Sequence, residues 1–183
     1  MGIDSGYGIG SLKTGVCTTA TRPAAPFVGQ TIYDTTVATT LVWNGSAWIG
    51  SAGKVLQVVN AVYSTETTTT SSSYVTAGLT ASITPSSTTS KIWAMCTGAI
   101  GNTGAGYIRV TLFRGTVAGT NLAPDYLTNT YNLNPVPFAV NAYDSPSTTS
   151  ATTYTLAMKV TGATGYIQSG SATSSLTLME ISA

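Results

Sequence analysis

Residues 22–50 read RPAAPFVGQTIYDTTVATTLVWNGSAWIG. The Asn44-Gly45 pair is a strong hairpin signal, because both central residues of a type I′ turn need positive φ. Trp43 and Trp48 flank this turn, and at that spacing they can face each other across the two strands. The segment therefore predicts a small β-hairpin module centred on Trp43, Asn44, Gly45 and Trp48.

The chain after residue 53 predicts an antiparallel β-domain. About eight apolar or alternating segments are separated by polar turns, with no convincing helical period, and their spacing indicates a sandwich or barrel. The apolar run 55–63 predicts a strand buried on more than one face. Residues 117–135 show neither the helical nor the strand period, which predicts a long loop. The predicted strands are 55–63, 74–83, 92–100, 107–114, 136–143, 154–160, 166–168 and 176–178.

Composition favours a structural subunit. Only 7% of the residues are charged and the formal net charge is +1, against about 25% charged residues in ordinary domains. A neutral, hydroxyl-rich monomer would tend to associate, so we expect the flanks to be buried in an oligomer or particle. Lysine and arginine form no cluster that would displace counterions from a nucleic acid, which excludes nucleic-acid binding.

The sequence contains few of the residue combinations that enzyme active sites use. The chain has no histidine, which removes Ser-His-Asp triads, Cys-His pairs and HExxH zinc sites. Cys17 and Cys96 have no metal-ligand spacing and are expected to be free thiols. Asp125 and Asp144 are the two loop carboxylates available to a glycosidase, but turn chemistry explains them better. We predict a protein that is not an enzyme and uses neither metal nor cofactor.

The N-terminal segment, residues 1–21, is rich in glycine and is expected to be an arm that becomes ordered when it is held. It has neither the basic nor the apolar region of a signal peptide. No apolar run in the chain approaches the ~18 residues of a membrane span. We therefore expect synthesis in the cytoplasm and no insertion into a membrane.

The hairpin module resembles a motif of tail-fibre and other virion-surface proteins of tailed bacteriophages. Its pattern is P-x-x-G-Q-x-I-Y-D/E-T followed by L-x-V-W/Y-N-G-x-A-W. The residues that carry it here are Arg22, Pro23, Pro26, Gly29, Gln30, Ile32, Tyr33, Asp34, Thr35, Leu41, Trp43, Asn44, Gly45, Ala47 and Trp48. This resemblance implies a place on a virus particle rather than a reaction.

A second resemblance covers residues 55–92, which are similar to a V-L-Q-V-V … G-L-x-A-x-I-T-P-S-S-x-x-S-K-I segment of phage virion proteins. Together with the final TLMEIS (177–182), it implies a jelly-roll knob that is often trimeric. The matching residues are Val55, Leu56, Gln57, Val58, Val59, Tyr74, Gly78, Leu79, Ala81, Ile83, Thr84, Pro85, Ser86, Ser87, Ser90, Lys91 and Ile92.

These observations predict an all-β protein with an attachment arm (1–21), a β-hairpin module (22–53) and a jelly-roll-like β-sandwich (54–183). The leading hypothesis is a homotrimeric phage fibre or spike on the virion surface. Its arm would hold other virion proteins, and its loops would contact a host-surface glycan or protein. Tyr126, Tyr131 and Tyr143 are candidate receptor contacts, because a phenol ring can stack on a sugar and hydrogen-bond it, although packing explains them equally well. The alternatives are a capsid decoration protein and a stand-alone carbohydrate-binding module.

Overall fold

The computed structural model describes residues 15–50, 55–123, 126–128 and 135–182. In these residues the regular structure is β-strand, apart from two short 3-10 turns at Thr19–Thr21 and Ser169–Ser171. The chain divides into two compact units, Met1–Gly53 and Lys54–Ala183. The described part contains no helix long and apolar enough to cross a membrane. The prediction of an all-β fold is confirmed.

The first unit contains one four-stranded sheet with the order β1-β2-β3-β4. Strand β1 lies parallel to β2, and the other pairs are antiparallel. Residues 15–17, which the sequence analysis placed in the arm, therefore form a strand of this sheet. The strands are β1 (Gly15–Cys17), β2 (Thr31–Asp34), β3 (Thr39–Trp43) and β4 (Trp48–Gly50).

The second unit contains two sheets that form a jelly roll. One has the order β5-β15-β8-β12, with β14 pairing β8 beyond the end of β15 and β6 pairing β14. The other has the order β7-β13-β9, with β10 and β11 on the far edge of β9. The long strands β5, β8, β12 and β15 lie in one sheet and β7, β9 and β13 in the other, so the chain crosses repeatedly between the sheets, as in the double Greek key of a jelly roll. The strands are β5 (Val55–Tyr63), β6 (Thr67–Thr69), β7 (Val75–Ile83), β8 (Lys91–Asn102), β9 (Tyr107–Arg114), β10 (Thr120–Asn121), β11 (Tyr126–Thr128), β12 (Val136–Asp144), β13 (Thr152–Thr161), β14 (Gly165–Ile167) and β15 (Ser174–Ile181).

The core of the second unit consists of side chains that point inward from both sheets. Alternate residues of the long strands contribute to it, so the buried residues of β7 are separated by exposed Gly78, Thr80 and Ser82. Full burial of an aliphatic side chain stabilises a fold by about 1.5–3 kcal/mol. The largest fully buried side chains are Tyr154, Leu79, Ile83, Ile92, Ile100, Ile108, Leu112, Leu156, Met158, Ile167, Leu176 and Leu178.

Two sequence predictions are wrong. Strand β5 is not buried on more than one face: it is the edge of its sheet, and Val58 and Val62 are exposed. The predicted loop 117–135 contains β10 and β11, which pair with β9. Strands of two and three residues are too short to display a period-two pattern, so no periodicity indicates them.

Candidate interaction surfaces

The hairpin turn of the first unit is held by Asn44. Its side-chain Oδ1 accepts hydrogen bonds from the backbone N–H groups of Ser46 (2.9 Å) and Ala47 (2.8 Å), and from the Ser46 hydroxyl (3.1 Å). Gly45 has φ +101°, but Asn44 does not have positive φ. The turn is therefore centred on Gly45-Ser46, one residue later than predicted, with the φ pattern of a type II′ turn.

Trp43 and Trp48 form the cross-strand pair next to this turn, as the sequence predicts. Their ring centroids are 5.6 Å apart and the planes are inclined by 59°. This is within the range in which aromatic pairs attract each other beyond simple area burial. The pair stabilises the hairpin, and both rings remain only half-buried.

Asp34 organises the other end of the sheet. Its carboxylate is buried and accepts hydrogen bonds from Arg22 Nε (2.6 Å), Thr19 Oγ1 (3.0 Å) and the Thr36 N–H (2.8 Å). Burial alone would raise the pKa of Asp34, but these donors, with the Val37 N–H, hold it below its ordinary value. The aspartate of the phage-like motif is thus a structural residue that ties three segments together.

The first unit buries very little apolar surface. Among its described residues, Ile32 and Leu41 are the buried apolar side chains. Beside them an open cleft of about 720 Å³ is lined in part by Cys17, Pro23 and Phe27. Sequence reasoning missed this cleft, which depends on the pairing of β1. Within residues 15–50, the large apolar side chains left exposed are Val16, Phe27, Val28, Tyr33, Val37 and Ile49.

The outward side of the β5-β15-β8-β12 sheet is also apolar, and we call it the outer face. The register aligns Val58, Met179, Trp93 and Tyr143 in one row across all four strands. The next row contains Met95 between two polar neighbours. The outer face comprises Val58, Asn60 and Val62 of β5, Ser175, Thr177, Met179 and Ile181 of β15, Lys91, Trp93, Met95 and Thr97 of β8, and Pro137, Ala139, Asn141 and Tyr143 of β12.

The three candidate receptor tyrosines do not form one described site. Tyr143 lies on β12, within the predicted strand 136–143, is 65% exposed, and is paired with Trp93 on the outer face. Tyr126 begins β11 and pairs through its backbone with Val110 of β9. Tyr131 lies outside the described residues. Receptor binding by these tyrosines remains a prediction.

Asp144, one of the two carboxylates considered for a glycosidase, has structural partners. It points inward and is bound by Arg114 Nη1 (2.9 and 3.2 Å to its two oxygens). The buried Tyr154 hydroxyl donates to the same carboxylate at 2.8 Å. Burial and this bond to Asp144 raise the pKa of Tyr154. Asp125 lies outside the described residues.

Glu180 forms a second buried carboxylate site at the end of β15. It accepts hydrogen bonds from the Ser86 N–H (2.7 Å), the Ser86 hydroxyl (2.6 Å) and Gln57 Nε2 (2.6 Å). Burial opposes ionisation of Glu180, but these bonds and one from Ser90 hold its pKa at about 2. The two motif pieces of the second resemblance, TPSSxxS and MEIS, therefore meet in one hydrogen-bonded cluster.

Neither cysteine is bonded to the other. Cys96 is fully buried on β8, and burial raises the pKa of its thiol to about 12, which leaves it unreactive at neutral pH. Within the described ranges, no three acidic or cysteine side chains come together in a way that would hold a metal ion.

Comparisons with known proteins give only distant similarities. No protein-family model matches the sequence, and no curated protein matches it. A structure of disulfide-linked pili, the endospore appendages of Bacillus, has 17% identity and a TM-score of 0.34, over 71% of this chain and 93% of that chain. The VP2 subviral particle of infectious bursal disease virus has 13% identity and a TM-score of 0.44, over 86% of this chain and 40% of that chain. A structure of the Gx strain of that virus has 9% identity and a TM-score of 0.35, over 76% and 42%. These TM-scores lie below 0.5, so the similarities support no assignment of function.

Proposed function

We propose that this chain is a non-enzymatic structural protein of a bacteriophage virion, a homotrimeric fibre or spike that is exposed on the particle and attaches it to the host surface. The resemblances of residues 22–50 and 55–92 to phage virion proteins suggest the particle. The jelly-roll unit is the part that would meet the host. Residues 1–21 would bind other virion proteins.

The observation that carries this proposal is the imbalance between buried and exposed apolar side chains. Among residues 15–50, the described part of the first unit, Ile32 and Leu41 are buried but six large apolar side chains are exposed. A sheet of this size is marginally stable by itself. Docking against a partner removes these side chains from water, as expected for one component of a larger assembly.

The attachment role follows from multivalency. The low charge of the chain favours weak contacts through hydroxyl and aromatic groups over strong electrostatic binding. Three weak sites acting together raise avidity by ~10²–10⁴ without any new contact. Tyr126, Tyr131 and Tyr143 are the proposed receptor contacts.

The test is to add purified, labelled protein to host cells and, separately, to particles stripped of it. We expect saturable binding to cells that blocks infection, and loss of that binding in the Tyr126→Ala/Tyr131→Ala/Tyr143→Ala variant. A matched control is Tyr107→Ala, which removes an exposed tyrosine of β9 outside the proposed contacts. Binding to neither cells nor particles would contradict the virion assignment.

A capsid decoration protein is the second candidate function, and it is favoured by the exposed apolar side chains of the first unit, which a capsid surface could equally cover. In that case the protein binds empty capsids at a stoichiometry set by shell symmetry and raises their resistance to heat. A stand-alone carbohydrate-binding module, the third candidate, would bind glycans without binding particles. The same two-part assay separates these three outcomes.

A further inference from the structure

The exposed apolar side chains of the second unit are concentrated on one side. Of its described residues, the large apolar side chains that remain exposed are Val55, Leu56, Val58, Val62, Trp93, Met95, Tyr107 and Tyr143. Apart from Tyr107 of β9, they belong to β5, β8 and β12, the strands of the outer face. A soluble monomer rarely gathers its exposed apolar residues in this way, and such patches mark interaction surfaces.

The other sheet provides an internal comparison. The residues of β7 that point to solvent are Thr76, Gly78, Thr80 and Ser82, and Ser82 is bonded to Thr153 of β13 (2.8 Å). In β8, the equivalent solvent-side positions are occupied by Trp93 and Met95. The same chain therefore uses hydroxyl side chains where a sheet faces water, and large apolar ones on the outer face.

The charge of the outer face restricts what can cover it. Lys91 is the only charged residue among the positions that define it, and its Nζ donates to Ser145 Oγ at 2.8 Å. A nucleic acid or an anionic lipid surface needs a cluster of cations, which this face does not offer. An equally uncharged face can cover it without burying an unpaired charge.

The size of the outer face suits a subunit contact. Four strands about 4.8 Å apart, each about eight residues long, cover a flat area of about 500 Å². Protruding side chains such as those of Trp93 and Tyr143 enlarge the accessible area. A stable interface buries about 800 Å² on each partner. The face thus supplies the larger part of such a contact.

From these observations we propose that the outer face is the surface through which copies of this chain associate, so that its occupant is a second copy of the same chain. Val58, Met179 and Trp93 form the apolar centre of the contact, and Tyr143, on the edge strand β12, lies at its rim, where its ring stays accessible to a receptor. Asn60, Asn141 and the hydroxyls of Thr97 and Ser175 lie in the neighbouring rows and form its polar part. This inference shares one element with the proposed function, because both require the chain to associate with copies of itself. In a trimer, each copy turns this face towards the other two.

The test is the molar mass of the full chain in solution, measured by light scattering over a range of concentrations. We expect a multiple of the 18.7 kDa chain for the unmodified protein. Met95→Glu and Val62→Glu, which place a carboxylate on the outer face, should each shift the mass to that of one chain. Both side chains are already exposed, at 38% and 63%, so neither change disturbs the core. Thr80→Glu, on the solvent side of β7, is the matched control and should leave the mass unchanged.

A second readout uses Trp93. In a Trp43→Phe/Trp48→Phe background, its fluorescence emission should shift to longer wavelength on dilution, because dissociation exposes an indole that is 45% exposed in the single chain. Oligomers that persist in both glutamate variants would overturn the assignment of this face and leave the proposed function standing. A single-chain mass for the unmodified protein at every concentration would overturn self-association itself. If that monomer still bound host cells, the attachment role in the proposed function would stand without self-association.

Discussion

At the residue scale, the two buried carboxylates of the jelly roll are the most informative side chains. Glu180 has no cationic partner among its described contacts and is held by hydroxyl, amide and backbone donors. Its role is to fix the segment between β7 and β8 against β15. This gives a physical reason for the serines of the motif: Ser86 donates two hydrogen bonds and Ser90 another.

We predict that Glu180 makes the free energy of unfolding decrease when the solution becomes acidic. Its pKa is about 2 in the folded chain, against an ordinary value of 4.5. A depressed folded pKa contributes stability that is fully present above about pH 4.5 and is lost as the pH falls towards 2. The contribution is about 2–3 kcal/mol. Urea unfolding from pH 2 to 7 should show this loss in the unmodified protein and not in Glu180→Gln.

The matched control is Glu66→Gln, which replaces an exposed glutamate and should leave the pH profile as it is. A Glu180→Gln protein that keeps the full acid dependence would show that other carboxylates are responsible.

We predict that Asp144→Asn destabilises the jelly roll by about 2 kcal/mol. The change removes the ion pair with Arg114 and weakens the acceptor for Tyr154. Breaking a fully buried pair costs about 3–5 kcal/mol, and the partial exposure of Arg114 reduces that cost. Urea unfolding measures the effect. Tyr154→Phe, which removes only one hydrogen bond, should cost less, and an equal or larger cost would contradict this account.

At the scale of elements, the hairpin turn depends on one side chain. We predict that Asn44→Ala destabilises the first unit by about 1 kcal/mol, because three donors lose their acceptor at a partly solvated site. In a Trp93→Phe background, the fluorescence of Trp43 and Trp48 reports on this unit during urea unfolding. Ser46→Ala removes one of the three bonds and should have a smaller effect. Equal stabilities for the two variants would argue against the Asn44 role.

The same scale shows why the sequence predicted some elements and not others. Strand β7 (VTAGLTASI) alternates apolar and small polar residues, so its end at Ile83 was predictable, although it begins at Val75, one residue later than predicted. Its Gly78 has φ +84° and lies opposite an irregularity in the register with β13, which explains a glycine inside a strand. Strand β8 (KIWAMCTGAIGN) has apolar residues at both its odd and its even positions. That pattern fits a strand buried on both faces as well as a strand that presents apolar side chains on the outer face. The difference depends on what covers the sheet, and the alternation of residues along one strand does not distinguish the two cases.

At the scale of the whole molecule, the division into two units predicts separable roles. Every residue of the main apolar core lies between Ala77 and Leu178, so the fragment 54–183 contains its complete core. We expect this fragment to unfold cooperatively at the temperature of the same transition in the full chain, as measured by calorimetry. A fragment that fails to fold would show that the jelly roll depends on residues 1–53.

If the attachment role is correct, the folded fragment should compete with the virion for host cells but should not occupy stripped particles, because residues 1–53 are missing. The measurement is the binding of labelled fragment and full chain to each target, together with inhibition of infection. The low core content of the first unit is the reason to expect this division, since that unit is the one that needs a partner surface. A fragment that binds particles as well as the full chain does would place particle contact on the jelly roll and favour the decoration role instead.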